Sequence, residues 1–166
     1  MPEHAALSIA PVETTEDLAA LARLFRDYAG SLDVDLAYQD FEGELAALPG
    51  KYAPPSGALL LAKDAAGAAI GCAALRALEP PGCCEMKRLY VSPAARGLGL
   101  GGRLVEAVIA TAERLGYREI RLDTLPSMTA AQALYRKLGF EPMPHYYDTP
   151  IAGTEFMRRS LGGRRG

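Results

Sequence analysis

Apolar residues recur along this chain in two periods, and the changes of period mark out its elements. Residues 7–12 predict a short first strand. Leu18, Leu21, Ala22, Phe25 and then Tyr28 or Ala29 return at helical spacing. Thr14 or Thr15 is placed to cap that helix, with Glu16 and Asp17 in its first turn and Gly30 as its stop. A shorter helix is predicted over residues 41–48, and residues 51–57, with two prolines, read as a loop. Residues 59–63 and 68–75 form a hairpin pattern around Asp64-Ala65-Ala66-Gly67.

Glu79-Pro80-Pro81-Gly82 turns the chain into a fourth strand at residues 84–91. After a glycine-rich stretch at residues 92–102, a helix carries Leu104, Val105, Val108, Ile109, Ala112 and Leu115 on one stripe and ends at Gly116. Residues 118–124 predict a fifth strand. Ser127 is placed to cap a last helix that runs to Leu138, with Gly139 at its left-handed end and Phe140 packed back on the last turn. Two short strands fit within residues 140–145 and 154–161. The predicted order is β-α-α-β-β-β-α-β-α-β-β, a mixed α/β pattern in one domain over residues 1–166.

Composition narrows the function classes. A net charge of −2 argues against a general electrostatic grip on nucleic acid. Two histidines, His4 and His145, and three cysteines, Cys72, Cys83 and Cys84, offer no metal-ligand spacing, so no metal is expected. The thiols read as buried or half-buried groups in a reducing cytoplasm, the expected location. No apolar run reaches bilayer length, the first residues lack the pattern of a secretory signal, and no membrane partner is expected. The last residues, 162–166, are expected to fray.

The glycine-rich stretch carries most of the chemistry. Gly97, Gly99 and Gly102 satisfy GxGxxG, with Asp123 about 20 residues on, as a dinucleotide-binding fingerprint requires. Three features oppose that reading. The preceding strand holds Glu85, Lys87 and Arg88, whereas a parallel strand buried on both faces is continuously apolar. Ser92-Pro93-Ala94-Ala95-Arg96 separates strand from glycines. Too little chain follows for the remaining strand and helix units. A pyrophosphate alone is a simpler ligand: glycines let backbone N–H groups approach phosphate oxygens, the helix dipole adds attraction, and Arg96 supplies a charge.

Val91-x-Pro93-x-x-Arg96-Gly97-x-Gly99-x-Gly101 resembles the acetyl-CoA motif of the GNAT superfamily of N-acetyltransferases. Leu134-Tyr135-x-Lys137-Leu138-Gly139-Phe140 is similar to the end of that family's fourth helix. The resemblance covers residues 85–140. It implies the GNAT fold, a mixed and mostly antiparallel sheet of about seven strands, the fourth and fifth parallel and splayed, flanked by about four helices. It also implies transfer of an acetyl group from acetyl-CoA, as co-substrate, to a primary amine of a small molecule or peptide by direct attack. The alternative is a module that binds acetyl-CoA as a sensor without turnover.

Residue by residue, the resemblance implies pantetheine on the backbone of Leu89, Tyr90 and Val91. It implies pyrophosphate on the N–H groups between Leu98 and Arg103, within a segment made of Arg96, Gly97, Leu98, Gly99, Leu100, Gly101, Gly102 and Arg103. Lys137 is in reach of the adenosine end. Tyr135 becomes the general acid toward the departing thiolate, since a phenol of pKa about 10 is protonated at neutral pH. Glu85 is the candidate base, directly or through water, with an ion pair to Lys87 or Arg88 as its structural alternative and Asp123 as its substitute. Where the family often has an asparagine that tethers pantetheine, this chain has Met128, so the tether is either lost or replaced by Ser127 or Thr129. Tyr38, Phe41, Tyr146 and Tyr147 fall in regions that line the acceptor pocket of this fold. Many relatives of this fold pair as homodimers. The acceptor itself is not specified by these residues.

Overall fold

The computed structural model describes residues 7–162; His4 and most of the C-terminal tail lie outside them. Its strands are β1 (Ser8–Pro11), β2 (Ala58–Lys63), β3 (Ala69–Ala77), β4 (Cys83–Val91), β5 (Glu119–Thr124), β6 (Glu141–Met143) and β7 (Glu155–Ser160). Its helices are α1 (Thr15–Ser31), α2 (Phe41–Ala47), α3 (Leu100–Arg114) and α4 (Thr129–Lys137). They follow one another in the predicted order and form one seven-stranded sheet, β1-β2-β3-β4-β5-β7-β6. Only β4 and β5 run parallel; the other neighbours are antiparallel.

Strands β2 and β3 are buried on both faces, which explains their near-continuous apolar runs. Along β2, Leu60 and Ala62 join one core with Leu104, Val105 and Val108 of α3, while Leu59 and Leu61 join another with Leu21, Leu24 and Phe25 of α1. Alternation along the strand therefore feeds two cores rather than a core and a solvent face.

Thr14 caps α1, its hydroxyl accepting from the Asp17 N–H at 3.0 Å. The helix does not stop at Gly30: it continues to Ser31, and Leu32 closes it with an N–H bond to the Ala29 carbonyl. Nothing lies within 4 Å of a Cβ placed at Gly30, so this glycine is a solvent-side position and no cap. Residues 51–57 are not all loop, because a 3-10 turn at Gly50–Tyr52 buries the Tyr52 ring against Phe25. Leu115 departs from the α3 stripe; it is the C-cap and exposed. Ser127 does not cap α4: Met128 holds the N-cap position without a side-chain bond. At the other end Gly139 has φ of 97° and Phe140 donates its N–H to the Tyr135 carbonyl at 2.9 Å, as expected for a left-handed helix end.

Candidate active site

The site forms where β4 and β5 part. Their parallel pairing covers Cys83, Cys84 and Glu85 opposite Glu119, Ile120 and Arg121, and goes no further. On its other side β4 bulges: Cys72 faces Tyr90 and Ala74 faces Lys87, leaving Arg88 and Leu89 opposite Ala73 alone. Arg88 takes the left-handed turn of the bulge, with φ of 60°, which a bulky residue rarely adopts.

Its side chain holds that turn in place. Nε and Nη2 of Arg88 donate to the two carboxylate oxygens of Glu44 on α2, each at 2.9 Å, and Nη1 donates to Gln39 Oε1 at 2.9 Å. The Phe41 ring lies 5.1 Å from the guanidinium carbon. The aromatic expected in the acceptor pocket thus serves instead as the platform for this ion pair.

The parted strands enclose a narrow cleft of about 30 Å³ between residues 86–89 and residues 122–125. Tyr28, Met128 and Tyr135 also face it. Tyr135 is buried with its ring on Phe140, centroids 5.8 Å apart, and burial pushes its phenol well above the usual tyrosine range. Burial likewise pushes Tyr28 up to about 12. Thr124 lines this cleft, and its hydroxyl is buried without a hydrogen-bond partner. Ser127 and Thr129 are exposed and do not line it.

Beyond β4 a 3-10 turn at Pro93–Ala95 leads into Arg96, whose Nε donates to the Val91 carbonyl at 3.0 Å and whose guanidinium lies 5.7 Å from the Tyr90 ring. Gly97 and Gly99 have φ of 86° and 75°, conformations open to glycine. Arg103 makes the first helical bond, its N–H to the Gly99 carbonyl at 3.2 Å. The N–H groups of Leu100, Gly101 and Gly102 precede it at the end of α3, where an anion is favoured.

A wider cavity of about 470 Å³ adjoins the cleft, sharing Tyr38, Gln39 and Lys87 with it. Strand register builds its floor. Arg76, Glu85 and Arg121 lie directly opposite one another across β3, β4 and β5. Arg76 Nη1 donates to Glu85 Oε1 at 3.2 Å, so this arginine, rather than Lys87 or Arg88, is the ion-pair partner of Glu85. Lys87 lies 3.9 Å from Asp123 in the next row. The connection between β6 and β7 supplies the roof: the Tyr146 hydroxyl donates to Glu85 Oε2 at 2.6 Å and the Tyr147 hydroxyl donates to Asp123. Burial, and then the adjacent carboxylates, push both phenols far above the usual tyrosine range.

The structure thus brings Glu85, Tyr38, Tyr146 and Tyr147 to one cavity, with Asp123, Tyr135 and Leu89 in the adjoining cleft and Asp123 bonded to Tyr147. Sequence reasoning passed over Arg76, Arg121 and Thr124, because only the cross-strand register reveals what they face. Among the described residues no group of three or more potential ligands could hold a metal, and no helix is long and apolar enough to cross a membrane.

Comparison with known proteins agrees with this geometry. Over 155 residues the chain is 42% identical to an uncharacterised N-acetyltransferase of Schizosaccharomyces pombe, covering 93% of this chain and 95% of that one. A GNAT-family acetyltransferase structure from Staphylococcus aureus superimposes with a TM-score of 0.77 at 20% identity, covering 94% of this chain and 99% of that one. An acetyltransferase of Salmonella typhimurium, solved with its cofactor acetyl-CoA, superimposes with a TM-score of 0.67 at 22% identity over 97% of each chain. The profile of the acetyltransferase (GNAT) family matches residues 15–140, and the chain belongs to that family.

Proposed function

We propose that residues 1–166 act as one cytoplasmic acetyltransferase domain that moves the acetyl group of acetyl-CoA directly to a primary amine. The observation that carries this reading is the junction of the two cavities: a cleft beside the unpaired edge of β4 opens at Lys87 and Gln39 onto a pocket floored by Glu85. Pantetheine fits that edge, bonding the backbone of Leu89, Tyr90 and Val91 as a strand would. Pyrophosphate fits the N–H groups of residues 98–103, with Arg96 beside them. The Salmonella typhimurium protein of the same fold binds acetyl-CoA. Thr124 supplies the polar contact that Met128 cannot make, since its hydroxyl is otherwise unpartnered. Three buried, unpaired thiols suit a reducing compartment.

The acceptor amine enters the wider pocket and attacks the thioester carbonyl. A C–N bond forms, the C–S bond breaks, and the sulfur takes the Tyr135 proton. The amine proton passes to Glu85 through the Tyr146 hydroxyl, which already donates to that carboxylate. Placing both reactants in joined cavities supplies the proximity term.

The test is amine-dependent release of CoA thiol by the purified chain. Tyr135→Phe should lower kcat by roughly 10²-fold or more at similar acetyl-CoA KM, the usual scale of a lost general acid. Unchanged turnover in that variant across pH would remove Tyr135 from the mechanism. Tight acetyl-CoA binding with no transfer to any amine would favour the sensor reading instead.

A further inference from the structure

Resting on that transferase reading, we infer that the acceptor amine also carries a carboxylate, so that the wider pocket takes a zwitterion of the amino-acid class.

The lining of the pocket carries an excess of cations. Its lining includes four cations, Lys51, Arg76, Lys87 and Arg121, against two carboxylates, Glu79 and Glu85. Further carboxylates bear on it from outside the lining. Glu44 is 3.5 Å from Lys51 but is already forked by Arg88, Glu119 holds Arg121 Nε at 2.5 Å, and Asp123 sits 3.9 Å from Lys87 under Tyr147. With Arg88 included, five cations stand against five carboxylates, so the pocket suits a monoanion with its own ammonium better than a dianion.

Donors remain for that anion. Arg76 uses Nη1 on Glu85, while its Nε is buried without any hydrogen-bond partner. Lys51 is half-exposed at the same wall; burial and the nearby charges of Arg76 and Lys87 hold its ammonium below the usual lysine range, a crowding that an anion relieves. Planar guanidinium groups match a carboxylate in two-pronged geometry. Glu85 on the floor and Asp123 in the adjoining cleft are groups of the opposite sign, and they draw the ammonium end toward the cleft, where it gives up one proton before the neutral amine attacks. The Tyr146 ring, 5.4 Å from the Arg121 guanidinium, walls the space between.

The experiment compares several α-amino acids with their α-carboxamides as acceptors for the full chain with saturating acetyl-CoA. Each pair differs in a carboxylate. The acid should be acetylated with kcat/KM about tenfold or more above its amide, the scale of one charged hydrogen bond. Lys51→Gln should erase about tenfold from the acid and less than twofold from the amide, with the acetyl-CoA KM unchanged. Arg121→Gln is the second variant, because a pocket that has merely lost its shape would lose both substrates alike. Amides that match or exceed their acids, or variants that lower both equally, overturn the inference. Calorimetry with acetyl-CoA alone separates the two failures. A protein that binds it and acetylates only uncharged amines remains a transferase, and the carboxylate claim falls. If nothing is acetylated, the transferase reading falls, and the same acids and amides are titrated into the CoA-loaded protein. Acids that bind tighter uphold the pocket assignment, and acids that bind no tighter than amides overturn it.

Discussion

Arg88 sits in a backbone conformation that costs roughly 1–3 kcal/mol for a residue with a side chain. The bulge persists because that side chain is locked to Glu44, Gln39 and Phe41. Glu44 and Arg88 side chains are only 4% and 2% exposed, so removing one charge strands the other in the interior. Glu44→Gln should therefore destabilise the protein by about 3–5 kcal/mol at pH 7, read by urea denaturation. Burial pushes the Glu44 carboxyl up, but hydrogen bonds and charge from Arg88, with Lys51, outweigh it and hold the pKa below the ordinary carboxylate value. A depressed folded-state pKa contributes stability above the unfolded value of about 4.3, and that stability is lost as pH falls through the folded value. The wild type should lose this share below about pH 4, whereas Glu44→Gln lacks it at every pH. Curves that keep a constant gap down to pH 2 would contradict the assignment. Tyr135 gives a second pH prediction of opposite sign. Burial raises its phenol above about 10, so kcat should show no alkaline loss from this residue up to about pH 10. An alkaline fall centred below pH 9 that disappears in Tyr135→Phe would overturn that.

At the scale of elements, α4 matters for how it ends. Gly139 takes φ of 97°, and the turn it allows places Phe140 against the Tyr135 ring. A Cβ there would also stand 3.0 Å from Arg159 Nε. Gly139→Ala should cost about 1–2 kcal/mol and lower kcat more than KM, since it disturbs the orientation of the acid rather than the binding of either substrate. A thermal melt with steady-state kinetics decides it; equal loss through KM alone would point away from Tyr135. This helix end was legible because Leu138-Gly139-Phe140 places a glycine between two apolar residues. Strands β2 and β3 were legible from apolar density, and β5 from the alternation of Ile120 and Leu122 with charged residues. Gly30 and Ser127 misled because each residue type has several uses. Gly30 faces open space on α1, and Ser127 lies in a turn where Met128 takes the cap position. The β4 bulge left no signal at all: its left-handed residue is an arginine, and what stabilises it comes from Glu44, forty-four residues away. The row Arg76–Glu85–Arg121 was hidden in the same way, since register joins residues whose separation carries no period.

The whole molecule is two sheet halves joined along a short seam. Strands β1 to β4 are continuous through antiparallel pairs, and so are β5, β7 and β6, but the halves meet only where Cys83–Glu85 faces Glu119–Arg121. Below the seam α3 packs across β2, β3 and β4. Above it, the cleft separates Leu89 from Thr124, and residues on both sides face the same space. A cofactor bound there would touch β4, the start of α3, β5 and α4 together, and so would stiffen the junction between the halves. At 100 times its dissociation constant a ligand confined to the folded state adds about 2.7 kcal/mol, which for a chain of this length raises the thermal midpoint by roughly 5–10 °C. Acetyl-CoA should produce that shift and NADPH should not, because the glycines open onto a single helix end and lack a second nucleotide half. Thr124→Val should shrink the shift while leaving the unliganded midpoint nearly in place, since its hydroxyl has no partner to lose in the free protein. A full shift in that variant would remove Thr124 from the cofactor contacts. An equal shift with NADPH would mean that the cleft reads the adenine nucleotide common to both ligands, and the pantetheine arm would then contribute little to holding the halves together.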